Sequence, residues 1–168
     1  MENPFLTKII FEQQLCENEK FGIVADAEPM VDGHYLFYLK EQRPSIADGD
    51  NAEAAQFIEN IFPRYTDHRQ YAYFERGRAS FCTSMNGVIH GHGHLVPFFK
   101  EDMSDFFPYD SVKAYPDMKS AYENVPQDGQ YLIWGNLNGE FYVLENASEL
   151  PKRTIRHTVE RYHNVEIK

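Results

Sequence analysis

Apolar and polar residues near the start of this chain fall into short extended runs. Residues 21–27 and 34–40 are two such runs, and the segment between them holds Pro29, Asp32 and Gly33, residues that favour turns. Two strand-like runs joined by a turn predict a β-hairpin.

A segment with the periodicity of a helix follows the hairpin. Within residues 51–65 the apolar positions recur at spacings of three and four, which is the pattern of a helix with one apolar face. These positions are Ala54, Ala55, Phe57, Ile58, Ile61 and Phe62. Pro63 favours a helix end nearby, because proline cannot continue the backbone hydrogen bonding. We therefore predict one long helix here.

The remainder of the chain predicts further strands and a closing helix. Extended runs cover residues 70–75 and 88–99, which both follow the helix. Residues 131–134 and 140–144 flank a segment bounded by glycines, which is typical of a second hairpin. Residues 151–162 begin with a proline, a residue suited to the first turn of a helix.

These elements predict an α+β fold. Residues 41–50 and 102–116 are rich in turn formers and are predicted to be loops. The chain has no internal repeat and no Gly/Ser linker. We expect a single domain over residues 1–168, with an antiparallel sheet of about five strands, one long helix and a C-terminal helix.

Composition narrows the function classes. Sixteen Lys and Arg against 26 Asp and Glu give a net charge of −10, which argues against a protein that coats nucleic acid. Cys16 and Cys82 form no C-x-x-C pair, and no apolar run approaches the roughly 20 residues that span a bilayer. We expect a cytoplasmic protein that binds neither nucleic acid nor membrane.

The segment that carries chemistry holds three alternating histidines. His90, His92 and His94 stand at every second position, and alternate residues of a strand face the same side with Cα atoms roughly 6.6 Å apart. Gly91 and Gly93 leave the opposite face bare, so another group can pack close to the backbone. The spacing predicts a wall of imidazoles on one face of a strand.

Three interpretations of this wall are open. Alternating histidines can chelate zinc, iron or copper, but such sites normally recruit a carboxylate, and the next acid in the chain is Glu101. The imidazoles could instead be hydrogen-bonded structural residues of the sheet. We favour nucleophilic catalysis, because a neutral imidazole with an ordinary pKa of about 6.5 serves as nucleophile, acid or base near neutral pH.

Several segments resemble one protein family. Residues 90–96, His-Gly-His-Gly-His-Leu-Val, resemble the signature of the histidine-triad (HIT) superfamily of nucleotide hydrolases and transferases. Residues 24–40 resemble the family's first hairpin, in which an acid, a proline and Gly-His precede an apolar strand. Residues 73–77 and 150–156 resemble a bacterial HIT-like subgroup. The matches span about residues 16–162 in the family order, and they imply the HIT-like fold.

The resemblance also implies roles for individual residues. His92 would attack the α-phosphorus of a nucleotide and form a covalent nucleotidyl-histidine intermediate. His94 would contact the phosphate and assist the leaving group, the backbone carbonyl of His90 would orient His92, and His34 would complete the phosphate environment. Asp26 corresponds to the acid that binds ribose hydroxyls, a use suited to a carboxylate with two acceptor oxygens.

The sequence also departs from the family pattern. Gly87 stands where many members carry a phosphate-contacting Ser or Thr, and the preceding Asn86 could supply the missing donor. Gly91 and Gly93 replace bulky residues, and Gln42 stands where a further histidine often occurs. These departures keep an alternative open, namely a catalytically silent nucleotide-binding or regulatory protein.

The resemblance also implies which substrates and cofactors the protein uses. The implied substrate is a nucleotide phosphoramidate, a phosphoanhydride or a dinucleoside polyphosphate. No cofactor and no protein-bound metal are required, and Mg²⁺ would enter only together with a polyphosphate substrate. The family analogy favours a homodimer. Among the other basic residues, Arg76 and Arg78 are expected at an exposed hairpin end, and the C-terminal helix is expected to dock on the sheet through its apolar residues.

Overall fold

One antiparallel sheet dominates the structure, a computed structural model that describes residues 14–26, 29–66, 71–79, 91–97, 100–107 and 109–167. Within these ranges the strands are β1 (Gln14–Glu17), β2 (Phe21–Ala25), β3 (Tyr35–Leu39), β4 (Ala72–Gly77), β5 (His92–Val96), β6 (Lys113–Tyr115), β7 (Tyr131–Asn136) and β8 (Phe141–Glu145). Their order across the sheet is β1-β2-β3-β5-β4-β7-β8-β6, and neighbouring strands are antiparallel.

Both predicted hairpins are confirmed, but the expected strand number was wrong. β2 pairs with β3 and β7 pairs with β8. Over the described residues the sheet has eight strands and not about five. The additional edge strands β1 and β6 have only four and three residues, which is too short for a period of two to stand out in a sequence. β6 lies inside the segment 102–116, which was predicted to be a loop.

The predicted long helix is helical but not uniform. Helix α1 (Asn51–Gln56) continues into a π-helical turn (Phe57–Ile61) and a 3₁₀ turn (Phe62–Arg64). The Asp50 side chain caps α1 by accepting a hydrogen bond from the Glu53 N–H at 3.1 Å. The segment therefore ends close to Pro63, as predicted. A short helix α2 (Met118–Glu123) was not predicted.

One face of the sheet packs against α1, the turns after it and α2. Its buried core includes Phe37, Tyr73, Leu95 and Phe141 from the strands, joined by Phe57 after α1. The alternation of side chains along each strand places these residues on one side. This face therefore holds the larger hydrophobic core.

The other face packs against helix α3 (Thr154–Ile167). Ile155 and Val159 of α3 are buried together with Phe74 and Trp134 from the central strands, as expected for a helix that docks through its apolar residues. α3 begins three residues after Pro151. Among the described residues, no helix is long and apolar enough to cross a bilayer.

Candidate functional site

The two described histidines of the alternating pattern lie on β5, in the interior of the sheet. His92 pairs with Tyr38 of β3, and His94 pairs with Leu36 of β3 and Phe74 of β4. Both imidazoles lie on the face that carries α3, with ring centroids 5.1 Å apart and ring planes at 73°. The period of the strand therefore places these two rings side by side. His90 lies outside the described residues, as do Asn86 and Gly87.

The glycines between the histidines admit close neighbours on the opposite face. A Cβ atom at Gly91 would lie 2.3 Å from the Cα of Ser45, and one at Gly93 would lie 2.2 Å from the Tyr73 hydroxyl. No side chain fits at such distances without moving its neighbours. The packing behind β5 therefore requires glycine at positions 91 and 93.

His34 joins the two histidines from the neighbouring hairpin. It follows Gly33, whose positive φ of 88° forms the turn before β3. The His34 Nε2 lies 2.9 Å from the His94 Nδ1, within hydrogen-bond distance. The structure thus brings together three of the four predicted histidines.

The backbone fixes the tautomers of the two hydrogen-bonded rings. The Met30 N–H donates to the His34 Nδ1 at 3.1 Å, so this nitrogen is an acceptor in the neutral ring. The proton of His34 then sits on Nε2 and is donated to the His94 Nδ1. As a consequence, neutral His94 carries its own proton on Nε2. That atom can donate to a bound oxygen.

Burial keeps both rings neutral at neutral pH. Desolvation lowers the pKa of His34 to about 4, although the nearby Asp26 acts in the opposite direction. Burial likewise holds the pKa of His94 well below its usual range, and the charges of His92, His34 and Arg156 add to this effect. Neutral rings retain the donor and acceptor pattern described above.

Asp26 lies beside His34 at the end of β2. Its Oδ2 is 3.4 Å from the His34 Nδ1 and 3.9 Å from the Nη2 of Arg156 in α3. The carboxylate is only 13% exposed. The sequence resemblance implied a ribose-binding role for Asp26, and here the residue links the histidines to a basic residue of α3.

A cleft of about 160 Å³ opens beside His92 and His94. It is lined by Met30, Arg76, His92, His94, Arg153, Thr154, Ile155 and Arg156. Its outer wall is the first turn of α3, where the helix dipole favours negative charge. The histidines therefore face a small space bounded by cationic side chains.

Arg76 has a different place from the one the sequence indicated. The residue was expected at an exposed hairpin end, but it is buried and 8% exposed. Its guanidinium donates to the carbonyls of Ala147, Leu150 and Pro151 at 2.7–2.8 Å. Arg76 thereby attaches the segment before α3 to β4.

Asp26, His34 and His94 could also hold a metal ion. One ligand atom from each lies within 4.8 Å of the others. A carboxylate with two imidazoles is a donor set that transition metals accept. Both ring nitrogens of His34 are already hydrogen-bonded, however, so a metal ion would have to displace one of these bonds. The Nδ1 accepts from the Met30 N–H, and the Nε2 is bonded to His94.

Comparison with known proteins shows the fold. No family model and no curated protein matches the sequence. The structure is similar to that of yeast Ap4A phosphorylase Apa2, with a TM-score of 0.57 at 12% identity over 84% of this chain and 62% of Apa2. A second structure of Apa2, in complex with Ap4A, gives a TM-score of 0.44 at 10% identity over 76% of this chain and 57% of that one. The chain thus spans less than two thirds of the length of Apa2.

Sequence reasoning missed the cationic side of the cleft. Arg153 and Arg156 lie at the start of a helix that was correctly predicted to dock on the sheet through its apolar residues. The signal that could have found them is the cluster of basic residues in the first turn of a helix, where acidic residues are usual.

Proposed function

We propose that the protein is a nucleotide hydrolase or nucleotidyl transferase that acts at the α-phosphorus of its substrate, with His92 as the nucleophile. The observation that carries this proposal is the pair of adjacent imidazoles on β5, one of them hydrogen-bonded to His34, beside a cleft with basic walls. In this proposal the nucleophile, a hydrogen-bond donor and the anion-binding groups share one small space.

The chemistry needs two displacements at phosphorus. A ring nitrogen of His92 attacks the α-phosphorus, the bond from phosphorus to the leaving group breaks, and a nucleotidyl-imidazole forms. The Nε2–H of neutral His94 donates a hydrogen bond to a phosphate oxygen, and the leaving group departs with the bonding electron pair and takes any proton it needs from solvent. Water or another acceptor then attacks the same phosphorus and gives its proton to solvent, and the His92 imidazole departs with the bonding electron pair. Phosphoryl transfer depends mainly on positioning and charge neutralisation, which this arrangement can provide.

The similarity to Apa2 supports a nucleotide-processing role. An Ap4A phosphorylase acts on a dinucleoside polyphosphate, one of the substrate classes that the histidine-triad resemblance implies. In this proposal Mg²⁺ enters only as the counterion of a polyphosphate, and the enzyme works as a homodimer of single-domain subunits.

The test is substitution of the nucleophile with a matched histidine control. His92→Ala should abolish turnover of Ap4A and of an adenosine phosphoramidate while nucleotide binding remains measurable. His157→Ala, an exposed histidine of α3, should leave turnover unchanged. Rapid quenching followed by peptide mass spectrometry should find the nucleotidyl adduct on His92. Full turnover by His92→Ala would overturn the proposal.

The same assays address the alternative function. The observation that favours this alternative is the contact between Asp26 and Arg156. Asp26 is the residue that resembles the ribose-binding acid, and its carboxylate is already engaged by a basic side chain. A silent nucleotide-binding protein would bind nucleotide, raise its melting temperature with ligand and form no adduct. That combination of results would favour the regulatory role over the enzymatic one.

A further inference from the structure

The first turn of α3 carries charges of the unfavourable sign. Lys152 and Arg153 precede Thr154, Arg156 follows, and the first turn has no acidic residue. The N-terminal end of a helix carries a partial positive charge, so cations there are destabilising unless an anion compensates them. The whole chain has a net charge of −10, which makes a local cluster of cations more notable.

The backbone at Arg153 is also unusual. Its carbonyl accepts the hydrogen bond of the His157 N–H, which places Arg153 at the N-cap of α3. Ser, Thr, Asp, Asn or Gly normally occupies this position, because a short polar side chain can bond the free N–H groups. Arg153 also has a φ of 62°, in the left-handed region that non-glycine residues rarely adopt. Both the residue preference of the N-cap position and the left-handed backbone conformation therefore disfavour arginine at position 153.

The neighbouring contacts show which cation is available for a ligand. Arg156 lies 3.9 Å from both Asp26 and Glu160, and Arg76 donates to three backbone carbonyls. Within the part of the chain that the structure describes, the Arg153 guanidinium makes no hydrogen bond and no ion pair. It nevertheless lines the same cleft as His92.

We propose that Arg153, assisted by Arg156, binds the phosphate chain of the leaving group, so that the preferred substrate is a nucleoside or dinucleoside polyphosphate rather than a phosphoramidate with an amine leaving group. This inference rests on the proposed function, because it assumes that the α-phosphorus lies at His92. A guanidinium suits the task, since its planar donors match phosphate oxygens in pairs. The remaining phosphates would then compensate the cations at the start of α3.

The experiment compares two substrates with different leaving groups. Arg153→Gln should lower kcat/KM for Ap4A about tenfold, as expected for the loss of a charged hydrogen bond, and change kcat/KM for an adenosine phosphoramidate less than about twofold. Arg161→Gln, an exposed arginine of the same helix, should change neither. Arg153→Lys should restore part of the activity on Ap4A. Equal losses on both substrates, or no loss on either, would overturn the inference.

A binding measurement separates this inference from the proposed function. Inorganic tripolyphosphate should bind the wild-type protein and the His92→Ala variant alike in calorimetry, and about tenfold more weakly to Arg153→Gln. Failure of the wild type to turn over either substrate would reject the enzymatic proposal, while tripolyphosphate binding that depends on Arg153 would still support the anion site. Tripolyphosphate affinity that is unchanged in Arg153→Gln would reject the site.

Discussion

The phenol ring of Tyr73 lies directly across the backbone of Gly93, on the side of β5 opposite His92 and His94. The Tyr73 hydroxyl is hydrogen-bonded at 2.6 Å to that of Tyr122. A polar network inside the larger core thus contacts the strand that carries the two histidines.

Gly93→Ala should destabilise the protein by about 1–3 kcal/mol, because the new methyl group must displace the fully buried Tyr73 or shift β5. Gly139→Ala is the matched control, since of the residues that the structure describes a Cβ atom there would meet only Asn136, at 3.8 Å. Urea unfolding of both variants measures the difference. A similar stability of the two variants would contradict the tight packing at Gly93.

Glu75 should give the protein a stability that falls as the pH rises. Its carboxylate is fully buried and accepts hydrogen bonds from Tyr122, Tyr131 and the Ile46 N–H, yet burial raises its pKa from 4.5 to about 7. The folded state therefore holds the proton more tightly than the unfolded chain does. The stabilising contribution is complete below pH 4.5 and is lost as the pH rises through about 7.

Glu75→Gln removes this titration, so the stability of the wild type relative to Glu75→Gln should decline between pH 4.5 and 7. His34 and His94 act in the opposite direction, because their lowered pKa values make acid destabilising, but they contribute equally to both proteins. Glu101→Gln, at an exposed glutamate, is the control. A pH-independent difference between wild type and Glu75→Gln would refute the assignment.

His34→Leu should slow turnover about tenfold or more by releasing the tautomer of His94. The substitution removes the donor 2.9 Å from the His94 Nδ1, so the proton of neutral His94 is no longer held on Nε2. Nitrogen-15 NMR at pH 7 should find one tautomer of His94 in the wild type and a mixture in His34→Leu. Loss of activity with an unchanged tautomer would mean that His34 acts in another way.

Arg76→Met should cost about 2–4 kcal/mol of stability, because it leaves buried carbonyls before α3 without donors. Lys119→Met, at an exposed lysine of α2, should cost little. Thermal unfolding measures both. Arg76→Met should also raise the KM for Ap4A, because Arg153 and Arg156 follow the segment that Arg76 attaches. Native-like stability in this variant would show that the three bonds are dispensable.

The sequence could predict elements whose pattern is local. Extended runs joined by turn-forming residues gave both hairpins, and a period of two placed His92 and His94 on one face. Spacings of three and four gave the buried positions of α1, and Pro151 indicated the start of the closing helix. Those signals depend only on near neighbours in the chain. The fold class and the central part of the candidate site were therefore accessible without coordinates.

The features of the site that the sequence did not predict depend on contacts between distant segments of the chain. Asp26 and Arg156 are 130 positions apart, and their approach requires both the β2–β3 hairpin and the docking of α3. The burial of Arg76 follows from carbonyls that lie more than 70 residues away. Periodicity predicts which face of a helix is buried, but it does not predict which strand the first turn of that helix will meet.

The two walls of the cleft belong to parts of the fold with unequal resistance to opening. β5 is flanked by β3 and β4, so its amide protons should exchange with solvent only in the rarest, near-global fluctuations. The first turn of α3 lies at a helix end, where fraying needs far less energy. In the proposed reaction, the released phosphate chain would leave when the helix end loosens, while the strand bearing His92 stays in register for the next cycle.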